Sequence, residues 1–140
     1  MKLRRQRRDP FQELQDGLAE IGSEMNATAE RLLEQGDRAG AIALWRALAT
    51  DGNADGVLNM VAECSADGRY DQALGWWRRA AESGIVIPPH EPGVRLQQQG
   101  PHRHTAAEGW WKTAGEELHD ARSRELLEAM TLGPERSEAP

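Results

Sequence analysis

Four histidines are the side chains of this chain best suited to hold a metal ion. They all lie in its second half, and two of them form a His-x-His pair: His90, His102, His104 and His119. A zinc site needs three or four ligands held in tetrahedral geometry, and no local spacing in this sequence fixes such a geometry. We therefore interpret them as solvated loop histidines and predict neither a metal site nor a cofactor. A metal-dependent enzyme that uses these histidines is the least favoured interpretation.

The sequence also lacks the common catalytic signatures. It contains no Gly-rich phosphate loop, no nucleophile elbow and no His-Glu-x-x-His motif. The single cysteine, Cys64, lies in a stretch of helical apolar periodicity without a neighbouring base that would lower its pKa, so we interpret it as an inert, buried thiol. The sequence thus predicts no catalytic residue and no enzymatic activity.

Tryptophans and basic residues recur together and could recognise an anionic partner. The candidates for such a partner-binding surface are Trp76, Arg78, Arg79, Trp110 and Lys112. Adjacent helical positions point about 100° apart, so the two tryptophans of a Trp-Trp pair cannot serve the same face. One interpretation is an Arg/aromatic site for an acidic peptide or a carboxylate terminus. The favoured alternative buries the tryptophans in a core and leaves the basic side chains solvated or ion-paired.

The charge of the chain is unevenly distributed. Five cations fall within the first eight residues: Lys2, Arg4, Arg5, Arg7 and Arg8. Because the net charge of the chain is -6, the rest of it carries -11. The arginines among these cations could contact nucleic-acid phosphates, although the acidic body argues against that partner and a solvated N-terminus is favoured.

Composition predicts a single soluble domain in a reducing, cytoplasmic setting. The chain has 140 residues, of which 39% are hydrophobic and 29% charged, and its mean hydropathy is -0.72. It contains no apolar run near the roughly 20 residues of a membrane-spanning helix. The basic start is not followed by the apolar segment of a secretory signal, and one cysteine cannot form an internal disulfide.

Residues 36–52 and 68–84 are two copies of one pattern, 32 positions apart. Trp45 aligns with Trp77, and the copies end at Gly52 and Gly84. A further partial copy lies 34 positions later, with Trp110 and Trp111 in place of Trp76 and Trp77. A period in this range is typical of repeat arrays.

Apolar spacings of three and four predict that each copy is a helix ended by a glycine and preceded by a partner helix. We expect helical hairpins at about 26–52 and 53–84 and a partial repeat at 105–115. The intervening residues 85–104 hold four prolines and two glycines, which predicts an extended or loop connection.

The two ends of the chain complete the predicted domain organisation. Residues 1–8 form a basic flexible arm, 9–132 the helical repeat domain and 133–140 a disordered tail. The motif Asp9-Pro10-Phe11-Gln12 predicts the start of a capping helix with a capping box. Its apolar stripe consists of Phe11, Leu14, Leu18 and Ile21. The C-terminal segment is either one long helix or two helices broken between 115 and 119.

The pattern Gly-x-x-x-x-Ala-x-x-Trp-Trp-Arg-Arg-Ala-Ala-Glu-x-Gly at 68–84 resembles the second helix of Sel1-like repeats, a branch of the tetratricopeptide repeat superfamily. The resemblance implies an all-α fold, a short α-solenoid of antiparallel helical hairpins with an N-terminal capping helix and a C-terminal helix. In such a stack Trp45, Trp77 and Trp111 would pack inside their own repeats. Trp76 and Trp110 would reach a neighbouring repeat or a groove.

The family implies a non-catalytic scaffold or adaptor that binds a partner protein or acidic peptide on its helical surface. An exposed solenoid face could alternatively serve a homodimer. The main rival is a small regulatory or nucleic-acid-associated factor, in which the solenoid dimerises and Arg4, Arg5, Arg7 and Arg8 bind the nucleic acid.

Overall fold

The computed structural model describes the backbone of residues 9–137 and the side chains of residues 9–132. Within this part of the chain the structure is all-helical, which confirms the all-α part of the predicted fold class, with seven α-helices, one 3-10 turn and no strand. The helices are α1 (Pro10–Glu34), α2 (Arg38–Thr50), α3 (Ala54–Ala66), α4 (Tyr70–Glu82), α5 (Glu91–Gln98), α6 (His104–Glu117) and α7 (Ala121–Ser137). The 3-10 turn spans Pro101–Arg103, between α5 and α6.

A glycine with positive φ follows each of the first five helices, and successive glycines lie 16 residues apart: Gly36, Gly52, Gly68, Gly84 and Gly100. At the first four, the glycine N–H and the next N–H bond back to the end of the preceding helix, as in Gly52 N to Ala49 O and Asn53 N to Leu48 O. This is the Schellman arrangement, which requires a left-handed residue and so favours glycine. The chain therefore reverses at regular intervals.

Helix α1 is continuous where the sequence predicts a capping helix and a separate first repeat helix. Its N-cap is Asp9, whose side chain accepts a hydrogen bond from Phe11 N at 3.1 Å. Gln12 does not close a capping box, because its amide donates to Asp16 Oδ1 instead. No residue between the two predicted helices breaks the hydrogen-bond ladder, since Gly17 and Gly22 only lower helix propensity.

The prediction of an extended or loop connection over residues 85–104 is confirmed for 85–90 and is wrong for 91–98 and 101–104. Helix α5 and the 3-10 turn form there because Pro92 and Pro101 fall in first turns, where the missing N–H has no helical partner to lose. Gly93 lets α5 approach α6 closely, since a Cβ at this position would lie 2.1 Å from the Trp111 indole nitrogen. A third helix pair, α5 with α6, therefore follows α1 with α2 and α3 with α4.

The C-terminal segment consists of two helices. Helix α6 ends before His119, which adopts a φ of 54°, and Asp120 then accepts hydrogen bonds from the backbone and hydroxyl of Ser123 at the start of α7. The backbone of α7 continues to Ser137, past the predicted start of the tail at residue 133, and residues 138–140 lie outside the described residues.

Packing places α3 at the centre of the molecule. It contacts its neighbours α2 and α4 and also α5 and α6. The largest buried side chains are Trp45, Trp110 and Trp111. Trp45 donates to Asn26 of α1 and Trp111 to the carbonyl of His90, so each bonds within its own helix pair. None of the described helices is long and apolar enough to cross a membrane.

Candidate functional site

Trp110, a predicted partner-binding residue, is fully buried, so its assignment to an exposed surface is wrong. Its indole N–H donates to the carbonyl of Pro89 at 2.7 Å. Trp110 aligns with Trp76 in the repeat, but the segment leading into α5 contributes a bonding partner to Trp110. The two positions therefore have the same residue type and different exposure.

Trp76 is half-buried and pairs with Arg79, whose guanidinium carbon lies 5.7 Å from the centre of the indole ring. This is a cation–π contact on the surface of α4. Together with Arg46, Gln72 and Gly75 the two residues line an open depression of about 450 Å³, hereafter the Trp76 depression. Of the residues predicted to form an Arg/aromatic surface, Trp76 and Arg79 are therefore in contact.

The remaining predicted residues of that surface are exposed. Arg78 lies 3.7 Å from Glu117 of α6, and both side chains are about half exposed, so this ion pair is weak. Lys112 is exposed on α6. In the structure, therefore, Trp76 contacts Arg79, Arg78 lies near Glu117, and Trp110 is buried.

A larger concave site, hereafter the groove, lies between α1, α2, α3 and the α5 region, with a volume of about 660 Å³. It is lined by Glu30, Leu33, Glu34, Arg38, Trp45, Asn59, Arg95, Gln98, Gln99, His102 and Arg103. The first helix of each pair contributes to this lining. Its size falls in the range of small-ligand and peptide sites.

Glu63 of α3 is a buried carboxylate, 2% exposed, that holds two of the groove arginines. Arg103 binds it with both terminal guanidinium nitrogens: Nη1 donates to Oε2, and Nη2 donates to Oε1 at 3.2 Å. Arg38 Nε donates to Glu63 Oε1 at 2.9 Å, and Arg38 Nη1 lies 2.9 Å from Asp67. Bidentate, charge-assisted bonds of this kind compensate the desolvation of a buried carboxylate. The groove therefore has a fixed, ion-paired arginine wall.

Hydrogen bonding to Asp67, and then to Glu63, raises the pKa of Arg38 above its ordinary value, against the opposing effect of burial. The guanidinium consequently stays charged at every pH at which the protein folds.

Amide groups fix another part of the groove lining. Asn26 Oδ1 accepts the Trp45 indole N–H at 2.9 Å and the Asn59 amide at 3.2 Å. Asn59 also donates to the carbonyl of Asp55. These bonds join α1, α2 and α3 behind the groove surface, so the indole and amide positions are set before any ligand binds.

The polar groups nearer the mouth of the groove are less constrained. Arg95 lies 3.4 Å from Glu30 and is 28% exposed, and His102 is exposed. Gln99 has a buried side-chain oxygen that accepts no hydrogen bond from the part of the chain that the structure describes. A ligand carboxylate could take Arg95 from Glu30, and a ligand N–H could bond to that amide oxygen.

The groove was not predicted from the sequence. Glu63 and Asn59 stand within the apolar periodicity of α3 and are both nearly fully buried, which is unusual for these residue types. This polar pair inside an apolar helix was the sequence feature that could have indicated the groove. Arg95 and Arg103 fell in the segment predicted to be a loop.

The remaining candidates for chemistry are dispersed. His90 lies 3.6 Å from Glu91 at the start of α5. Across residues 9–132, no group of three or more His, Cys, Asp or Glu side chains is arranged to hold a metal ion. Cys64 is buried, and desolvation, together with Asp67, raises the pKa of its thiol. The predicted nucleic-acid contacts, Arg4, Arg5, Arg7 and Arg8, lie outside the described residues.

No family model, curated protein or solved structure matches this chain.

Proposed function

We propose that the three helix pairs form a short α-solenoid of the tetratricopeptide or Sel1-like kind. The regular spacing of the positive-φ glycines and the equal length of α2, α3 and α4, 13 residues each, support this proposal. Contacts of α3 with α5 and α6 link the second pair to the third, as stacking of repeats requires.

On this scaffold, the function is to bind a peptide segment of a partner protein in the groove. The observation that supports this most strongly is the groove wall itself, in which buried Glu63 holds Arg38 and Arg103 in place. Polar groups that are already held in place lose little conformational entropy when a ligand binds. Such a wall is therefore better suited to ligand recognition than mobile polar side chains on a surface.

The groove chemistry favours a peptide with an acidic residue next to an apolar one. Among the described residues Arg95 pairs with Glu30 at a long distance of 3.4 Å, so it is the groove cation most available to a ligand carboxylate. Leu33 and Trp45 supply apolar lining nearby. A peptide backbone N–H would satisfy the buried oxygen of Gln99.

The test starts with selection of binding peptides from a random display library on the full chain. Affinity for the selected peptide is then measured by calorimetry on three variants. Arg95→Ala should weaken binding by about tenfold or more, the effect of losing a charge-assisted hydrogen bond. Glu30→Gln should strengthen binding of an acidic peptide, because it removes the competing carboxylate.

Arg79→Ala is the matched control, since it removes an exposed arginine from the Trp76 depression and should leave affinity unchanged. Loss of binding in Arg79→Ala with none in Arg95→Ala would move the site to the Trp76 depression. Failure to select any peptide would contradict the proposal.

A further inference from the structure

The N-terminal half of α1 extends beyond the helix on which α1 packs. Helix α1 has 25 residues and α2 has 13, so the excess of 12 residues spans about 18 Å at the helical rise. Gly22 marks where packing begins, because a Cβ there would lie 2.8 Å from the Asn53 amide at the start of α3. Residues 10–21 therefore project from the body of the molecule.

This projecting segment carries four large apolar side chains that are more than half exposed. Their exposed fractions are 64% for Phe11, 60% for Leu14, 59% for Leu18 and 54% for Ile21. These residues, hereafter the α1 stripe, present roughly 400 Å² of apolar surface, a size at which exposed patches mark interaction sites. The sequence predicts this stripe on a capping helix, and the structure leaves it uncovered.

The spacing of the α1 stripe identifies the kind of surface that fits it. Positions 11, 14, 18 and 21 alternate steps of three and four, which is the a/d pattern of a two-helix coiled-coil seam. The flanking positions nearest this seam are uncharged, at Gln15, Gly17 and Gly22. The α1 helices of two copies of the chain can therefore approach each other without like-charge repulsion at the seam.

We propose that the α1 stripe pairs with the α1 stripe of a second copy of this chain, in antiparallel orientation, to form a homodimer. The pairing covers both stripes at once, about 800 Å² of apolar surface before flanking residues are added, which approaches the lower limit of specific interfaces. The 12-residue projection of each copy matches the other in length, so each helix end reaches the body of its partner.

Charge complementarity selects the antiparallel orientation. Residues 1–16 carry five cations and three carboxylates, Asp9, Glu13 and Asp16, and are therefore net positive, whereas Glu20 and Glu24 make the next part of α1 acidic. In an antiparallel pair centred on residue 16, the start of one α1 faces these two glutamates of the other. A parallel pair would instead align stretches of like net charge.

The first test is the mass of the full chain in solution across a concentration series, by sedimentation equilibrium. The monomer has a mass of 15.5 kDa, and we expect twice that value. The double variant Leu14→Glu/Leu18→Glu places charges in the seam and should weaken dimerisation by about 100-fold or more. Both side chains are exposed in the single chain, so helicity measured by circular dichroism should not change.

Val86→Glu is the matched control, because Val86 is the most exposed large apolar residue, at 91%, and lies between α4 and α5. This variant should dimerise like the parent chain. A parent chain that stays monomeric throughout the series, or a double variant that dimerises as strongly as the parent, would overturn the proposal.

Orientation is tested by disulfide formation between single-cysteine variants in a Cys64→Ala background. An antiparallel pair brings position 11 next to position 21 of the other copy. A mixture of Phe11→Cys and Ile21→Cys chains should therefore crosslink, and Phe11→Cys alone should not. Efficient crosslinking of Phe11→Cys with itself would overturn the antiparallel arrangement. None of these variants touches the groove, so the outcome is independent of peptide binding.

Discussion

Glu63 connects the groove to the core of the fold. Its carboxylate is 2% exposed, and it bonds to Arg38 of α2 and Arg103 of the 3-10 turn. One side chain therefore ties the first and third helix pairs to the central helix α3. The attraction of two cations offsets the cost of burying its charge. Removal of the charge leaves Arg103 without this partner, while Arg38 keeps its contact with Asp67.

Glu63→Gln should lower the free energy of unfolding by about 2–4 kcal/mol, because it breaks a buried ion pair while keeping the shape of the side chain. Glu117→Gln removes the half-exposed partner of Arg78 and should cost less than about 0.5 kcal/mol. Urea denaturation followed by circular dichroism measures both. Equal effects of the two substitutions would contradict the structural role assigned to Glu63.

Helix ends explain which elements the sequence could predict. The pattern over 36–84 predicts α2, α3 and α4, because apolar spacing and terminal glycines agree there. The pattern does not predict α5. Proline disrupts the interior of a helix but fits a first turn, so the effect of Pro92 depends on where the helix starts. That start is set by packing of α5 on α6 around Gly93 and Trp111.

The candidate site was harder to predict than the helices. Trp76 and Trp110 occupy equivalent repeat positions, but Trp76 is half-buried, whereas Trp110 is buried and donates to the carbonyl of Pro89. The groove combines residues from four separate helices and a turn, including Arg103 and Glu63, which are 40 positions apart in the chain. Such pairings depend on tertiary contacts, which local periodicity does not encode.

Glycine substitutions test the role of the regular turns. Gly84 has a φ of 82° and open space around it, so Gly84→Ala should lower the free energy of unfolding by about 1 kcal/mol through backbone strain alone. Gly75 lies within α4, also with open space, so Gly75→Ala should stabilise the protein by up to about 1 kcal/mol. Thermal or urea unfolding of both variants measures the difference. The same sign for both would contradict this account of the turns.

In the molecule as a whole, one helix takes part in both proposed surfaces. Glu30, Leu33 and Glu34, near the end of α1, line the groove, whereas the α1 stripe lies on its projecting first half. Pairing of two copies through α1 would therefore leave both grooves free. A dimer of this kind would present two peptide sites, which raises the effective affinity for a partner with two binding segments.

The most direct test of the proposed function is an NMR titration of the full chain with a selected peptide, observed at the tryptophan indole N–H signals. Trp45 lines the groove and Trp76 lines the depression on α4, so each reports on one candidate site. We expect the Trp45 indole signal to shift in proportion to bound peptide and the Trp76 signal to stay in place. A shift of Trp76 without one of Trp45 would contradict binding in the groove.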